Sequence, residues 1–325
     1  MRAWHVTRLG EPREVMEIVD VPEPEPGPGE VAVRVRAVAV NFPDVLLARG
    51  EYQVRPELPF APGIELCGEV LAVGPGVERV RVGQRVVGSR IGVLAEVAVL
   101  AEREVFPAPD ALDDAAAAAL TIAYQTAWFA LHRRAVVQPG ETVLVHAAAG
   151  GVGTATVQLA VAAGARVIAV VGGEAKAQVA RDAGAHVVLD RTQDDLVARV
   201  KEETGGAGAD VVVDPVGGDA FDASTRCIAF EGRIVVVGFA GGRIQSVRPE
   251  HALVKNYSVL GLHWGLYARV RPELVAEAHD TICALVADGA VRPVVADVVP
   301  FEDAAAAVER LGEGTTTGRL VVRVA

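Results

Sequence analysis

Cysteine is scarce: Cys67, Cys227 and Cys283 are the only three in 325 residues, and no two stand at CxxC spacing. Scattered in this way they form no disulfide framework and no paired-cysteine zinc motif, and they read as small buried hydrophobes. Positive charge is also short. Thirty-one Lys and Arg face 42 Asp and Glu, a formal net charge of -11, which disfavours a phosphate-backbone partner and predicts no nucleic-acid role. No apolar run reaches the roughly 18 uninterrupted residues that a membrane span needs. The opening stretch, MRAWHVTRLGEPREV, lacks the apolar core of a signal peptide. A soluble cytoplasmic protein with no membrane partner is the expectation.

What is present is a globular composition, 51% hydrophobic and 22% charged, at a length that predicts two domains. From Glu30 to Val99 the text is β-like, with EVAVRVRAVAV alternating at period two and VRVGQRVVGSRIG cut by glycines. PEPEPGPGE, at 22–30, reads as an extended surface connection. DALDDAAAAALTIAYQTAWFAL then opens as an alanine-rich helix with Asp113 or Asp114 near its cap. After it come near-continuous apolar strands, ETVLVHA, ARVIAVV, AHVVLD, ADVVVDPV and RIVVVG, with helical segments between them. Such runs predict an α/β fold with a doubly wound parallel sheet. The expected organisation is a dinucleotide-binding domain at 124–265, inserted in a β-rich domain built from 1–123 and 266–325.

Within VHAAAGGVGT, Ala148, Gly150 and Gly153 keep the spacing of GxGxxG, with alanine in the first place. The motif alone is weak. Here a strand precedes it, the helix VGTATVQLAVAAG follows, and ARVIAVV comes at the βαβ distance, so a dinucleotide pyrophosphate is expected against Ala149, Gly150, Gly151, Val152 and Gly153. At the end of the second strand, where NAD-binding domains usually present a carboxylate to the ribose, this chain has Gly172 and Gly173. Small residues there leave room for a 2′-phosphate, and Lys176 and Arg191 supply charge, which favours NADPH. Glu174 and Asp190 oppose that charge. His146, at a strand end, reads as a satisfied buried imidazole, and Asp44 and Glu65 as structural carboxylates.

PFAPGIELCGEVLAVGPGV resembles the GHExxGxxxxxGxxV signature of the medium-chain alcohol dehydrogenases, with Gly63, Glu65, Gly68, Gly74 and Val77 in place and Ile64 at the histidine position. In the zinc enzymes of that family this histidine is a ligand. Their upstream cysteine ligand falls at Asn41 of NFPD, and their cysteine-rich structural lobe has no counterpart, so no metal is expected. Oxidising an alcohol calls for a Lewis acid to stabilise the alkoxide, so the acceptor here must carry its own activation. Quinones, conjugated enones and enoyl thioesters do.

Together with VHAAAGGVG, NFPD, RGEYQ and VVGFAGG, these features resemble the zinc-independent quinone oxidoreductases, the zeta-crystallin branch of the medium-chain superfamily, over essentially the full length. The resemblance implies a Rossmann domain plus a GroES-like catalytic domain, NADPH as cofactor, a quinone or similar conjugated carbonyl as substrate, and a homodimer joined through YSVLGLHWG at 257–265. It implies Asn41 and Tyr52 as the catalytic groups facing the acceptor. Thr126, Gly238, Phe239 and Asn256 become further cofactor contacts. Leu46 stands where several relatives carry a tyrosine, which makes the acceptor pocket more apolar. Reduction of an enone or enoyl-thioester double bond, and NADPH binding without catalysis, stay open beside quinone reduction.

Overall fold

The valine-rich runs are the strands of a computed structural model that describes residues 1–325. Seven of them come first: β1 (Arg2–Val6), β2 (Met16–Asp20), β3 (Glu30–Ala39), β4 (Leu66–Val73), β5 (Arg85–Gly88), β6 (Val97–Ala101) and β7 (Val105–Pro107). Then follow β8 (Thr142–Val145), β9 (Arg166–Val171), β10 (Val187–Asp190), β11 (Ala209–Asp214), β12 (Ile228–Val236) and β13 (Ser258–Gly261). The chain closes with β14 (Val295–Pro300) and β15 (Arg319–Arg323).

Two compact units result, 1–122 with 292–325, and 123–291. The first is built on a sheet of order β14-β15-β3-β4-β5-β7, with β6 also paired to β3. β3 meets β4, β6 and β15 in antiparallel register. Its valines and alanines are buried at most positions, while Arg34 stays exposed. Sequence alternation therefore survives only in part: Ala32 and Ala37, on the turns of the pattern, are buried as well.

In the second unit all six strands run parallel, in the order β10-β9-β8-β11-β12-β13. The helices Gly151–Ala162, Glu174–Asp182, Leu196–Glu203 and Gly218–Cys227 make the crossovers. Because such helices cover the sheet, its strands are apolar throughout and not alternating. Leu144, Ile168, Leu189, Val212, Phe221 and Ile234 share one buried cluster. At an area term of about 25 cal/mol per Å², each such side chain contributes about 1.5–3 kcal/mol of transfer free energy.

The first boundary lies at 122/123, one residue from the expected 123/124. The second lies at 291/292, not 265/266. The reason is packing by the helices Trp264–Val270 and Pro272–Ala287. Tyr267 lies against Phe129 with ring centroids 4.4 Å apart, and the Trp264 indole N–H donates to Gln125 Oε1 at 3.0 Å, which keeps the segment with the unit of helix Thr121–Trp128. No helix is long and apolar enough to cross a membrane.

Candidate functional site

The chain leaves β8 where the strand order reverses, with β9 on one side and β11 on the other. Ligands of open α/β sheets bind at the carboxyl end of such a switch point. Ala147 turns the backbone at φ +48°, and Gly150 starts the twelve-residue helix Gly151–Ala162. A Cβ on Gly153 would stand 2.1 Å from Ala147 O and 2.7 Å from Ala148 Cα, so only glycine lets the helix pack on the turn. Gly150 differs. A Cβ there would touch only Ala147 O, at 3.3 Å, so its bareness serves little internal packing and leaves the helix start clear. No side chain caps this helix and no acid sits in its first turn, so the N–H groups of Gly151, Val152 and Gly153 have no i−4 acceptor. Free N–H groups at the positive end of a helix make an anion receptor, and the pyrophosphate of a dinucleotide fits it.

At the end of β9 the Arg191 guanidinium lies 3.2 Å from where a Cβ on Gly172 would be. Gly172 thus admits Arg191 to the strand end. Gly173, at φ +88°, donates its N–H to Asp190 Oδ1 at 3.1 Å, and the same oxygen accepts from the Thr192 N–H at 3.0 Å and hydroxyl at 2.8 Å. These bonds, Thr192's backbone first, hold the Asp190 carboxyl below its ordinary range. Glu174 is paired with Arg181 at 2.7 Å. Glu174 is therefore engaged by Arg181, whereas Asp190 stays ionised beside Arg191, which makes no ion pair. Lys176 is half-buried on the helix that follows.

Gly238 and Phe239 follow β12 at the same carboxyl edge, Gly238 close to Pro215 O and the Phe239 ring close to Gly217. Asp214, which ends β11, is buried, and its Oδ1 accepts from Val216 and Gly217 N–H at 2.8 and 2.9 Å. Thr126 is buried on helix Thr121–Trp128. Asn256 does not join this group. It is the C-cap of helix Pro249–Lys255, at φ +53°, and it precedes β13, whose Ser258 lies beside Arg233 while Gly261 lies beside Val236. Parallel register thus puts Asn256 at the amino edge of the sheet, opposite the glycine loop. Its work there is structural: its carbonyl accepts the Glu231 N–H at 2.8 Å.

In the first unit Asn41 caps helix Phe42–Arg49, with its own N–H bonded to Asp44 Oδ2 at 2.8 Å. Its amide donates both hydrogens, to Ala39 O at 3.0 Å and to Glu65 Oε1 at 2.9 Å, and its Oδ1 accepts from Arg319 Nη1 at 2.9 Å. At 3% exposure, with every amide hydrogen committed, Asn41 has no donor left for a substrate oxygen. Glu65, fully buried, also accepts from the Ile122 N–H at 2.8 Å and pairs with Arg319 Nη2. Sequence reading missed Arg319, whose one signal is an arginine opening the otherwise apolar run of strand RLVVR.

Burial pushes the Glu65 carboxyl up while the Arg319 charge opposes it. Asp44 is pushed up to about 7 by burial, against the N–H bonds from Asn41 and Gly63. The Ile64 side chain is packed in the hydrophobic core. Tyr52, half-buried after the Gly50 cap, makes no hydrogen bond within the protein. Burial, then the Asp44 charge, pushes its phenol up, so it keeps its proton at neutral pH and can donate. Burial likewise pushes the Cys67 thiol up to about 12 and leaves it inert.

Residues 27–110 match the alcohol dehydrogenase GroES-like domain, and residues 151–280 match the zinc-binding dehydrogenase family. Quinone oxidoreductase-like protein 2 of Mus musculus is 38% identical over 323 residues, 99% of this chain and 91% of the mouse protein. Two solved structures are similar across 100% of both chains, each with a TM-score of 0.93: a mycobacterial protein complexed with NADPH, at 35% identity, and the Escherichia coli quinone oxidoreductase complexed with NADPH, at 32%.

Asp44 carries a pH signature. Its folded-state value of about 7 lies above the ordinary 3.8, so the folded chain keeps a proton that the unfolded chain releases. Its contribution to stability is fully present below the ordinary value and is lost as pH rises through about 7. Carboxyl ¹³C NMR should place its titration near neutrality. A midpoint in the ordinary carboxylate range contradicts the reading.

Proposed function

The chain belongs to the quinone oxidoreductase-like branch of the medium-chain dehydrogenase/reductase superfamily, and from that premise we propose that it is an NADPH-dependent reductase of quinones or similar conjugated carbonyls. The observation that carries the reading is what occupies the two ligand positions of the zinc relatives. Ile64 offers no donor and is packed in the core, and the Asn41 amide is spent on Glu65, Ala39 and Arg319. With no ligand set to hold a Lewis acid at that point, an acceptor that stabilises its own negative charge is the coherent partner.

When bound, NADPH supplies the hydride. The first turn of helix Gly151–Ala162 would hold the pyrophosphate, and Arg191 with Lys176 would hold the 2′-phosphate. Thr126, Gly238 and Phe239 bound the nicotinamide end. Tyr52 would hydrogen-bond the acceptor oxygen as charge develops there, the proton coming from water or from the phenol, which water then reprotonates, and Asn41 acts through Glu65 and Arg319 as a positioning residue. An enone or enoyl-thioester double-bond reductase is the second reading, which the apolar Leu46 fits equally well.

NADPH and NADH oxidation against a panel of quinones, enones and enoyl thioesters tests this directly. Quinones should turn over fastest, with NADPH. Tyr52→Phe should slow turnover about 100-fold, the scale of losing one oxyanion donor, and Lys176→Ala should cut the preference for NADPH about tenfold, as loss of a charged hydrogen bond does. An enone or thioester leading the panel establishes the second reading, and silence across the panel despite NADPH binding contradicts catalysis.

We further infer a homodimer joined through β13, the open edge of the parallel sheet, where Leu253 and Val254 are exposed on the preceding helix. Light scattering should report twice the 33.9 kDa chain mass. A mass equal to one chain would remove the dimer.

A further inference from the structure

The amino edge of the parallel sheet, opposite the glycine loop, holds a cavity of about 270 Å³. Three cations line it, each from the end of a different helix. Lys201 comes from Leu196–Glu203, Arg226 from Gly218–Cys227 and Lys255 from Pro249–Lys255. The 206–208 turn and Ile228 complete the wall, and Phe230 stands at it with 71% of its surface exposed.

A cation at a helix C-terminus is ordinary, since it complements the dipole. Three that converge without a counter-charge are not. The chain has eleven more acids than bases, yet no acid lines the cavity. The acids of the neighbouring helices are turned elsewhere: Glu202 and Glu203 pair with Arg199 at 2.7 and 3.5 Å, and Asp219 and Asp222 pair with Arg243 at 2.8 and 2.6 Å. Lys255 donates to the Thr225 carbonyl at 2.7 Å, and Lys201 and Arg226 make no ion pair. Burial, then the charge of Lys201, pushes the Lys255 ammonium down, as expected of like charges facing across one space. Burial pushes the thiol of neighbouring Cys227 up to about 11, with the charges of Lys255, Lys201 and Arg226 opposing it.

The wall also has an aromatic surface. Phe230 is followed by Glu231 at φ +58°, a strained turn for a residue with a side chain, closed by the Glu231 N–H bond to Asn256 O. That turn holds the Phe230 ring in solvent, where a large apolar side chain gains nothing from burial.

We propose that this cavity binds a small phosphate monoester bearing a flat apolar group, at a site separate from the dinucleotide loop. A phosphate carries about -1.5 to -2 charges and three acceptor oxygens, a match for three convergent donors that a carboxylate lacks. The volume is near the lower bound of about 300 Å³ for ligand pockets, so a single ring on the phosphate is the size that fits. The phosphate meets Lys201, Arg226 and Lys255, and the ring lies on Phe230.

Calorimetric titration of phenyl phosphate into the intact protein, saturated beforehand with NADPH, tests the site with the dinucleotide loop filled. Saturable binding of one equivalent per chain is expected. Lys201→Met and Arg226→Met should each weaken it by about tenfold or more, as loss of a charged hydrogen bond does, with NADPH affinity unchanged as the check on folding. Phe230→Ala should weaken phenyl phosphate and spare inorganic phosphate. Absence of saturable binding, or binding that the two cation variants leave intact, overturns the proposal. Equal effects of Phe230→Ala on both ligands overturn the role of the ring.

Discussion

One buried carboxylate holds the first unit together at the place where its chemistry is set. Glu65 has no exposed surface, and it joins three segments far apart in the chain: Asn41 just after β3, Ile122 at the close of the first unit's N-terminal stretch, and Arg319 at the start of the last strand. An ion pair taken out of water costs several kcal/mol per charge and is tolerated only when the remaining lone pairs and protons are also met. Here they largely are, because the Asn41 amide and the Ile122 N–H fill what Arg319 leaves, although the Arg319 Nε stays unpartnered. Fixing Asn41 fixes the cap of helix Phe42–Arg49, and with it the loop that carries Tyr52. The same bonds occupy the amide of the residue that stands at a metal-ligand position of the zinc relatives.

The second unit distributes charge by the direction of its strands. Helices begin at the carboxyl edge, where bare N–H groups and Arg191 favour phosphate, and they end at the amino edge, where Lys201, Arg226 and Lys255 gather. Cations thus stand at both edges of this sheet on an acidic protein. Glu174 is offset by its pair with Arg181, while Asp190, bonded to backbone N–H groups, stays ionised beside Arg191.

The dinucleotide loop was legible because its signal is local: strand, glycine spacing and helix occupy one stretch, and Gly153 is demanded by contacts within that stretch. The parallel sheet was legible for the same reason, from continuous apolar runs. What escaped depends on contacts across the chain. Trp264 and Tyr267 join the nucleotide unit through Gln125 and Phe129, which moves the boundary to 291/292, and no periodicity announces that. Asn41 was singled out for its place at the end of a strand, but its bonds were not legible: its amide hydrogens go to Ala39 and to Glu65, 24 residues away, and its oxygen accepts from Arg319, 278 residues away. Asn256 follows a helix and precedes a strand, and only the parallel register shows which edge of the sheet it reaches.

Urea unfolding of Arg319→Met tests the account at its centre. Removing one partner of a buried pair should cost about 3–5 kcal/mol, and replacing Glu65 and Arg319 together with apolar residues of similar volume should recover much of that loss. A single variant within about 1 kcal/mol of the parent would contradict the claim that this network braces the Asn41 cap and the Tyr52 loop.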